Sequence, residues 1–362
     1  MKTLYINGRI LGAKLSGVPR YSREMLRALD ALLFEIQPDI QVEVLMPQGI
    51  DPKIDFRCFK VRHVGRLKGH AWEQLDLPRY ARGGVLFAPN GSAPLLHSRV
   101  VVTIHDAIVF AAPAGFHPLY RTWYRILTRT LCRKACHVIT VSRFSKSELM
   151  RWCDLRPERA TVIYPGASHL HSVPADCSIL NRLSLSRFKF VLAVGSSSPN
   201  KNFRGILDSL KYLDLSEIQV VLVGQTGTQV GHHGSRHAEA LDYSAVKNAG
   251  NVTDAELRCL YENAGCFLFP SLYEGFGIPP VEALSFGCPT VISNADALVE
   301  VCGSAALVCD PFHPTDIAQK TMAALSLRQQ PDQLARFSQF SAQFTYNEAA
   351  RKLWAILSPQ LA

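Results

Sequence analysis

Short apolar runs alternate with longer stretches of helical periodicity along almost the whole chain. Apolar runs of strand length that are separated by helices are typical of parallel sheets covered by helices on both faces. The runs that we predict to be strands are residues 3–6, 41–46, 85–88, 100–104 and 138–141 in the first half, and 190–194, 219–223, 266–269, 290–292 and 306–308 in the second. This order predicts the α/β class, with two doubly wound parallel sheets.

The length of the chain and one break in the pattern indicate two domains. A chain of 362 residues with 48% hydrophobic and 19% charged residues is long enough for two folded domains of ordinary size. Residues 165–186 are polar without clear periodicity and predict a linker, whereas residues 224–236, rich in Gly and His, predict a loop. We expect an N-terminal domain over 1–170 and a second domain over 187–345. The amphipathic helix expected within 346–362 can pack on either domain, including the N-terminal one.

Charge, hydropathy and cysteine usage limit the class of protein. The net charge of +9 suits phosphate-bearing ligands or an anionic membrane surface, whereas nothing beyond this charge indicates nucleic acid. No apolar stretch approaches the roughly 18 residues of a membrane-spanning helix, and Asn7-Gly8-Arg9 interrupts the first run too early for a signal peptide. The ten cysteines lack CxxC spacing, so we expect free thiols in a cytoplasmic protein and no metal site.

The segment FPSLYEGFGIPPVE, residues 269–282, carries the most chemical information. A buried strand is expected to end before it, and Pro279-Pro280 predicts the first turn of a helix. Glu274 stands before a Gly-aromatic-Gly turn, and Glu282 follows eight residues later. The N–H groups at a helix start bind anions where glycines permit close approach, and carboxylates accept hydrogen bonds from several hydroxyls. The segment therefore predicts a ligand that is both phosphorylated and polyhydroxylated.

Two glycine-bearing turns elsewhere have the same anion-binding character. Gly17 lies between the first predicted strand and a predicted helix at 21–33, where glycine lets the backbone approach a phosphate, although an ordinary turn accounts for it as well. Lys201 follows Gly195 in another strand-to-helix segment, and its ammonium could place a point charge on a diphosphate. A solvated lysine near a helix start is the simpler alternative.

His105 and Asp106 follow the predicted strand at 100–104. The carboxyl ends of parallel strands are where α/β sheets bind ligands, so this position favours a functional histidine. The alternative is a structural histidine that Asp106 orients.

The segment 117–134 predicts a basic helix with aromatic residues. Its arginines recur at four-residue intervals and therefore lie on one face: Arg121, Arg125, Arg129 and Arg133. This face is either solvated or lies, with the neighbouring aromatic residues, against anionic lipid headgroups. Leu127 and Leu131 give the helix an apolar side that can be buried against its domain.

Taken in order, these motifs resemble those of the retaining glycosyltransferases of family four, which have the GT-B fold. The motifs that carry the resemblance are residues 16–21, 105–106, 141–145, 162–166, 195–202 and 274–282. The last motif has the two glutamates, separated by seven residues, of the family signature. The resemblance covers nearly the whole chain, and it implies two Rossmann-like domains that face each other across a cleft.

The resemblance also implies roles for single residues. Two are catalytic: His105 would lie beside the transferring sugar, and Glu274 would bind hydroxyls of that sugar. The implied donor contacts are Gly17 and Lys201 at the diphosphate, the backbone of Phe276 and Gly277 at the sugar or its diphosphate, Glu282 at the ribose, and Asn251 with Val252 at the nucleobase. Ser196 is a further expected contact of the donor.

One departure from the family pattern concerns the diphosphate. The family usually pairs the lysine with an arginine, and the two positions where that arginine stands are Ser196 and Asn200 here. We therefore expect weaker donor binding, or assistance from Arg20 or Arg204.

The implied activity is that of a retaining hexosyltransferase that needs no divalent metal and no cofactor besides its nucleotide-sugar donor. A general similarity to mannosyltransferases of bacterial surface-polysaccharide assembly makes GDP-mannose the first donor expected, followed by UDP-glucose and dTDP-rhamnose. The acceptor would be a lipid-linked oligosaccharide, with the protein in the cytoplasm and in peripheral contact with the inner face of the membrane. A non-catalytic protein that binds nucleotide sugars is the alternative from another class.

Overall fold

The chain forms two compact units. The computed structural model describes residues 2–196, 198–214, 216, 218–224 and 246–361. The first unit comprises Met1–Gly166 and Phe344–Ala362, and the second comprises Ala167–Gln343. Residues 167–186, most of the expected linker, thus belong to the second unit. The loop expected at 224–236 lies, beyond Gly224, outside the described residues.

The first unit contains a parallel sheet with helices in four of the six connections between its strands. Its strands are β1 (Lys2–Asn7), β2 (Ile40–Met46), β3 (Lys60–His63), β4 (Val85–Ala88), β5 (Val100–Ile104), β6 (His137–Thr140) and β7 (Ala160–Val162). Its helices are α1 (Gly17–Ile36), α2 (Gly69–Ala71), α3 (Leu77–Tyr80), α4 (Ile108–Ala111), α5 (Pro118–Lys134) and α6 (Arg143–Cys153), with a π-helical turn at Trp72–Asp76. The order of strands across the described sheet is β3-β2-β1-β4-β5-β6-β7.

The second unit repeats this plan. Its strands are β8 (Phe190–Val194), β9 (Gln219–Val223), β10 (Val246–Gly250), β11 (Cys266–Phe269), β12 (Thr290–Ser293) and β13 (Leu307–Cys309). Its helices are α7 (Ser178–Arg182), α8 (Phe203–Ser209), α9 (Asp254–Asn263), α10 (Ile278–Ser285), α11 (Asp296–Cys302), α12 (Pro314–Leu327) and α13 (Pro331–Ser341). The order of its described strands is β10-β9-β8-β11-β12-β13, and the paired strands are parallel.

Both strand orders confirm the prediction of two doubly wound parallel sheets. The chain reverses its direction of travel across the sheet between β1 and β4 in the first unit and between β8 and β11 in the second. Such switch points, at the carboxyl ends of the strands, are where α/β folds bind ligands. We call the strand-end regions at β1 and β4 the first-unit crevice, and those at β8 and β11 the second-unit crevice.

Interior and edge strands differ in how well the sequence predicts them. Every residue of β4, β5 and β11 is buried, and the structure confirms their predicted bounds. The strands that the prediction missed, β3, β7 and β10, are all at sheet edges. Because edge strands meet solvent, β3 (KVRH) and β10 (VKNAG) carry polar residues and lack an apolar run.

The last helix, α14 (Tyr346–Gln360), belongs to the first unit and packs against α1. The backbone of Gly166 lies so close to this helix that a Cβ atom there would be 2.4 Å from the backbone nitrogen of Tyr346. The segment that re-enters the first unit, near Tyr346, is therefore closely packed against Gly166, the residue at which the chain leaves that unit.

The expectation that the cysteines are free is wrong for one pair. Cys177 and Cys259 form a disulfide that joins the start of α7 to α9. The two residues are 82 positions apart, so no local spacing in the sequence could indicate the pair. Their proximity results from the packing of α7 on α9.

Candidate functional site

The loops that follow β8 and β11 are bound to each other in the second-unit crevice. The backbone N–H of Leu272 donates to the carbonyl of Asn200 over 2.7 Å, and Asn200 Nδ2 donates to the carbonyl of Tyr273 over 3.1 Å. Asn200 stands at one of the two positions where an arginine was expected. Here the side chain and the backbone of Asn200 both stabilise the loop after β11, so the residue at this position has a structural role.

Lys201 and Glu274 form an ion pair across these two loops. Lys201 Nζ lies 2.6 Å from Glu274 Oε1 and 5.0 Å from the centre of the Phe269 ring. Ser271 Oγ donates to the same carboxylate oxygen over 2.5 Å. The two side chains are 20% and 12% exposed, so both can still be reached from solvent. The structure thus brings together the residue predicted to bind a diphosphate and the residue predicted to bind sugar hydroxyls.

The loop after β8 approaches neighbouring backbone closely. A Cβ atom on Gly224, at the end of β9, would lie 1.8 Å from the carbonyl oxygen of Gly195, and its φ of +114° also favours glycine. Ser196, the other position considered for an arginine, follows Gly195 and is exposed. Arg204, considered as a substitute cation, is exposed and lies 3.6 Å from Asp208.

Gly277 determines how α10 begins. Its φ of 92° is left-handed, and a Cβ atom there would lie 2.4 Å from Leu298 Cδ2. The next turn contains Pro279 and Pro280, which have no backbone N–H. The N–H groups of Gly277 and Ile278 are therefore those with which the start of α10 can bind an anion. Phe276, the other residue predicted to bind the donor through its backbone, is buried.

Glu282 is buried on α10 and contacts two other side chains. Its relative exposure is 4%; Tyr261 donates its hydroxyl to Oε2 over 2.9 Å, and His169 Nε2 lies 3.1 Å from Oε1. A ribose hydroxyl would have to join or replace one of these contacts. Neither Tyr261 nor His169 was predicted from the sequence as a site residue. The sequence did offer a signal for Tyr261: its hydroxyl lies on the apolar face of α9, and a buried phenol needs a hydrogen-bond partner.

Asn251 and Val252 lie between β10 and α9. Asn251 is exposed, Val252 is partly buried, and Thr253 begins α9 with a capping box that it forms with Glu256. Because β10, β9, β8 and β11 are neighbours in the sheet, the predicted nucleobase and sugar contacts lie along one edge of it.

Gly17 and His105 belong to the first unit. Gly17 is the first residue of the 20-residue helix α1. Apart from its chain neighbours and the backbone of its own helix, none of the described residues comes within 4 Å of the position that its Cβ would occupy. The backbone at the start of α1 is therefore accessible to a ligand, and its contact with the diphosphate stays a prediction.

His105 is a neutral imidazole at the end of β5. Burial lowers its pKa to about 4, and the hydrogen bond to the Pro89 carbonyl only partly offsets this effect. Nε2 lies 2.9 Å from that carbonyl and therefore carries the proton, which leaves Nδ1 as an acceptor. The ring also stands edge-on to Tyr21, with ring centres 4.7 Å apart. Pro89 and Tyr21 thus orient the ring, where the sequence suggested Asp106.

Two family models match the chain. Residues 181–341 match the model described as glycosyl transferases group 1, and residues 15–169 match the model described as Glycosyltransferase Family 4. The chain therefore belongs to the glycosyltransferases, with the GT-B fold that its two parallel-sheet domains display.

Two bacterial mannosyltransferases are similar to the chain in sequence. The chain is 33% identical over 268 residues to the O-antigen chain mannosyltransferase B of Escherichia coli, a match that covers 70% of this chain and 66% of that protein. It is 28% identical over 274 residues to the O-antigen chain mannosyltransferase RfbU of Salmonella typhimurium, covering 75% and 72% of the two chains.

Solved structures agree on the fold. Sucrose-phosphate synthase from Thermosynechococcus elongatus superposes with a TM-score of 0.74 at 15% identity, covering 99% of both chains. HepE from Anabaena in complex with UDP-glucose superposes with a TM-score of 0.72 at 18% identity, covering 99% of this chain and 100% of that one.

Proposed function

We propose that the protein is a retaining hexosyltransferase that transfers mannose from GDP-mannose to a lipid-linked oligosaccharide in surface-polysaccharide synthesis. The observation that carries this proposal is the Lys201–Glu274 pair at the strand ends of the second-unit crevice. It presents a cation and a hydroxyl acceptor side by side, which are the groups that a nucleotide sugar requires. The names of the mannosyltransferase relatives support mannose as the transferred sugar.

The donor would extend along the carboxyl edge of the second sheet. The nucleobase would lie by Asn251 and Val252, the ribose by Glu282, the diphosphate by Lys201 and the start of α10, and the sugar by Glu274. In this arrangement Lys201 and the N–H groups at Gly277 stabilise the charge that develops on the leaving diphosphate. They supply positive charge without a metal, so we propose that the reaction needs none, and that a chelator leaves the rate unchanged.

Retention would follow from a front-face reaction. The bond between the anomeric carbon and the diphosphate oxygen breaks, the acceptor oxygen bonds to the same face of that carbon, and the leaving phosphate takes the acceptor proton. Glu274 already accepts hydrogen bonds from Lys201 and Ser271, which suits it to bind hydroxyls and not to act as a nucleophile. Detection of a sugar covalently attached to Glu274 would contradict this mechanism.

We also propose that the protein works in the cytoplasm, at the inner face of the membrane, with α5 in contact with anionic lipid. Leu119 and Ile126, one heptad apart on α5, are 76% and 54% exposed. The arginines contribute less than the sequence suggested, because Arg125 and Arg129 lie 5.6 and 5.1 Å from the Phe110 ring centre. Among the described residues, no helix is both long and apolar enough to cross a bilayer. Cosedimentation with anionic vesicles should fall in the double variant Leu119→Ser, Ile126→Ser, and equal binding to neutral vesicles would argue against a role for charge.

The decisive experiment is a comparison of donors. Calorimetric titration with GDP, UDP and dTDP should give the tightest binding to GDP, because GDP is the nucleotide part of the proposed donor. Incubation with GDP-mannose, UDP-glucose and dTDP-rhamnose should then release nucleoside diphosphate fastest from GDP-mannose. Preference for another donor would contradict the proposal of mannose as the transferred sugar and would leave the proposal of a glycosyltransferase standing. Tight binding without transfer or hydrolysis would indicate the non-catalytic binding protein.

A further inference from the structure

A buried carboxylate lies at the centre of the first-unit crevice. Glu73, in the π-helical turn, has no exposed side-chain surface, and its Oε1 accepts hydrogen bonds from Asn7 Nδ2 at 2.7 Å, Ser92 Oγ at 2.9 Å and Arg9 Nε at 3.2 Å. Burial by itself raises the pKa of Glu73, but the hydrogen bonds from His70, Asn7 and Ser92 and the charge of Arg9 together outweigh it and hold that pKa below its usual range. Glu73 is therefore an ionised group, and a buried charge of this kind requires all of these partners.

Glu73 orients two side chains that reach the surface. Arg9 also donates from Nη2 to Ser92 Oγ over 3.0 Å and is 17% exposed; its Nη1 group has no hydrogen-bond partner among the described residues. His70 places Nδ1 3.3 Å from Glu73 Oε2 and Nε2 3.3 Å from the Tyr124 hydroxyl, with 36% of its side chain exposed. The crevice thus presents fixed hydrogen-bonding groups at its mouth.

Aromatic rings continue this surface along α5. Tyr120 and Tyr124 stack with ring centres 4.3 Å apart, Phe116 stacks on Tyr120 at 5.5 Å, and Tyr124 meets the His70 ring at 5.5 Å. Tyr120 is 44% exposed, which leaves aromatic surface open. Partial burial, Tyr124 and Asp106 raise the pKa of Tyr120, whereas Arg9 lowers it, so Asp106 and Arg9 both lie near this phenol.

We propose that Arg9, His70, Tyr120 and Tyr124 form the subsite that binds a sugar residue of the acceptor, with Glu73 as a positioning residue. The inference rests on the proposed function and deepens it. An aromatic face packs against the apolar face of a pyranose, while the guanidinium, imidazole and phenol exchange hydrogen bonds with its hydroxyls. Because Glu73 already balances the charge of Arg9, the surface suits a neutral polyhydroxylated ligand better than a phosphate.

The first test measures binding directly and needs no donor. Saturation-transfer NMR with methyl α-D-mannopyranoside should show contacts in the wild type that Tyr120→Leu and Arg9→Met lose. Tyr80→Leu is a matched control, since Tyr80 on α3 is 41% exposed and lies outside the proposed subsite. Inorganic pyrophosphate is the competing probe. Displacement of the mannoside by pyrophosphate at equal concentration would overturn the assignment in favour of a phosphate site, and equal mannoside binding by wild type and Tyr120→Leu would overturn it altogether.

The second test separates this inference from the proposed function. With GDP-mannose as donor and an oligomannoside acceptor, Tyr120→Leu should raise the acceptor KM by at least about tenfold, a loss of about 1.4 kcal/mol. Glu73→Gln should raise acceptor KM and also increase binding of pyrophosphate, because it frees the charge of Arg9; a purely structural role would not produce that gain. Failure of the wild type to turn over any nucleotide sugar would reject the proposed function. Normal turnover with an unchanged acceptor KM in Tyr120→Leu would reject only the subsite.

Discussion

The two crevices have the same topology and different chemistry. In both units the carboxyl ends of two neighbouring strands diverge at the point where the strand order reverses. The second-unit crevice is built from glycines that permit close backbone contacts and from an ion pair that solvent can reach. The first-unit crevice is built from aromatic rings above a fully buried carboxylate. The fold determines where a ligand binds, and the residues at the strand ends determine which ligand it is.

The difference also concerns charge. In the second unit the partly exposed Lys201 and the start of α10 offer positive potential to an anion. In the first unit, Glu73 balances Arg9, and burial keeps His105 neutral. We interpret the second-unit crevice as the site of a charged donor and the first-unit crevice as the site of a neutral acceptor. The predictions below test this contrast.

The largest effect is expected for Lys201→Ala. Removal of the ammonium leaves the leaving diphosphate without its side-chain cation, so kcat/KM for the donor should fall by at least about 100-fold. Lys211→Ala, which removes an exposed lysine of the same unit, should stay within about twofold, since it removes only a solvated charge. Steady-state kinetics with the donor measure both. An unchanged kcat/KM for Lys201→Ala would exclude Lys201 from the donor site and remove the contrast between the crevices.

Gly277→Ala should destabilise the second unit by about 2–4 kcal/mol, because it combines backbone strain with overpacking against Leu298. Gly250→Ala is the matched control: Gly250 has a φ of +63° but no neighbouring atom within 4 Å, so it adds strain alone. Differential scanning calorimetry should show the larger loss for Gly277→Ala. Equal losses would mean that Leu298 moves aside, and that Gly277 is required for its backbone conformation only.

His105 should make the first unit sensitive to pH. Its pKa is about 4 when folded and 6.5 when unfolded, so between these values only the unfolded chain binds the proton. The stabilisation is complete above pH 6.5 and is lost as the pH falls towards 4, by at most about 1.4 kcal/mol per pH unit. His105→Asn should remove most of this slope, and a smaller part should remain because burial also lowers the pKa of His137 in the same unit.

Tryptophan fluorescence can measure that slope for the first unit alone. All four tryptophans, Trp72, Trp123, Trp152 and Trp354, belong to the first unit. Urea titrations followed by fluorescence at several pH values therefore report the unfolding of this unit. A slope of undiminished size in His105→Asn would assign the pH dependence to other groups and weaken the interpretation of a crevice that excludes charge.

The smallest effect is expected for Tyr261→Phe. The phenol donates to Glu282 Oε2 over 2.9 Å, and its loss leaves a buried carboxylate oxygen with one partner fewer. We expect a loss of about 1 kcal/mol in stability and a few-fold rise in the donor KM, with kcat little changed. Calorimetry and donor kinetics measure these quantities. A change in kcat alone would place Glu282 nearer to the reacting atoms than the ribose.

The sequence predicts the interior of each sheet and the main motifs, but not how distant residues meet. The interior strands β4, β5 and β11 are fully buried, so their apolar runs are visible in the sequence, whereas the edge strand β3 carries charged residues. Lys201 and Glu274 were each identified, but their pairing depends on two loops 73 residues apart. No local pattern in the sequence indicates the role of Glu73, because its partner Asn7 is 66 residues away. Such pairs become visible only when the strand order is known.

The return of α14 to the first unit has a consequence for synthesis on the ribosome. All residues of the second unit, Ala167–Gln343, are translated before Phe344–Ala362, which complete the first unit. Since α1 packs against a helix more than 300 residues further along the chain, the first unit begins to emerge before the second unit but is completed after it. The face of α1 that packs against α14 must therefore remain without this partner until α14 has been translated, and a premature stop after Gln343 would leave the first unit incomplete.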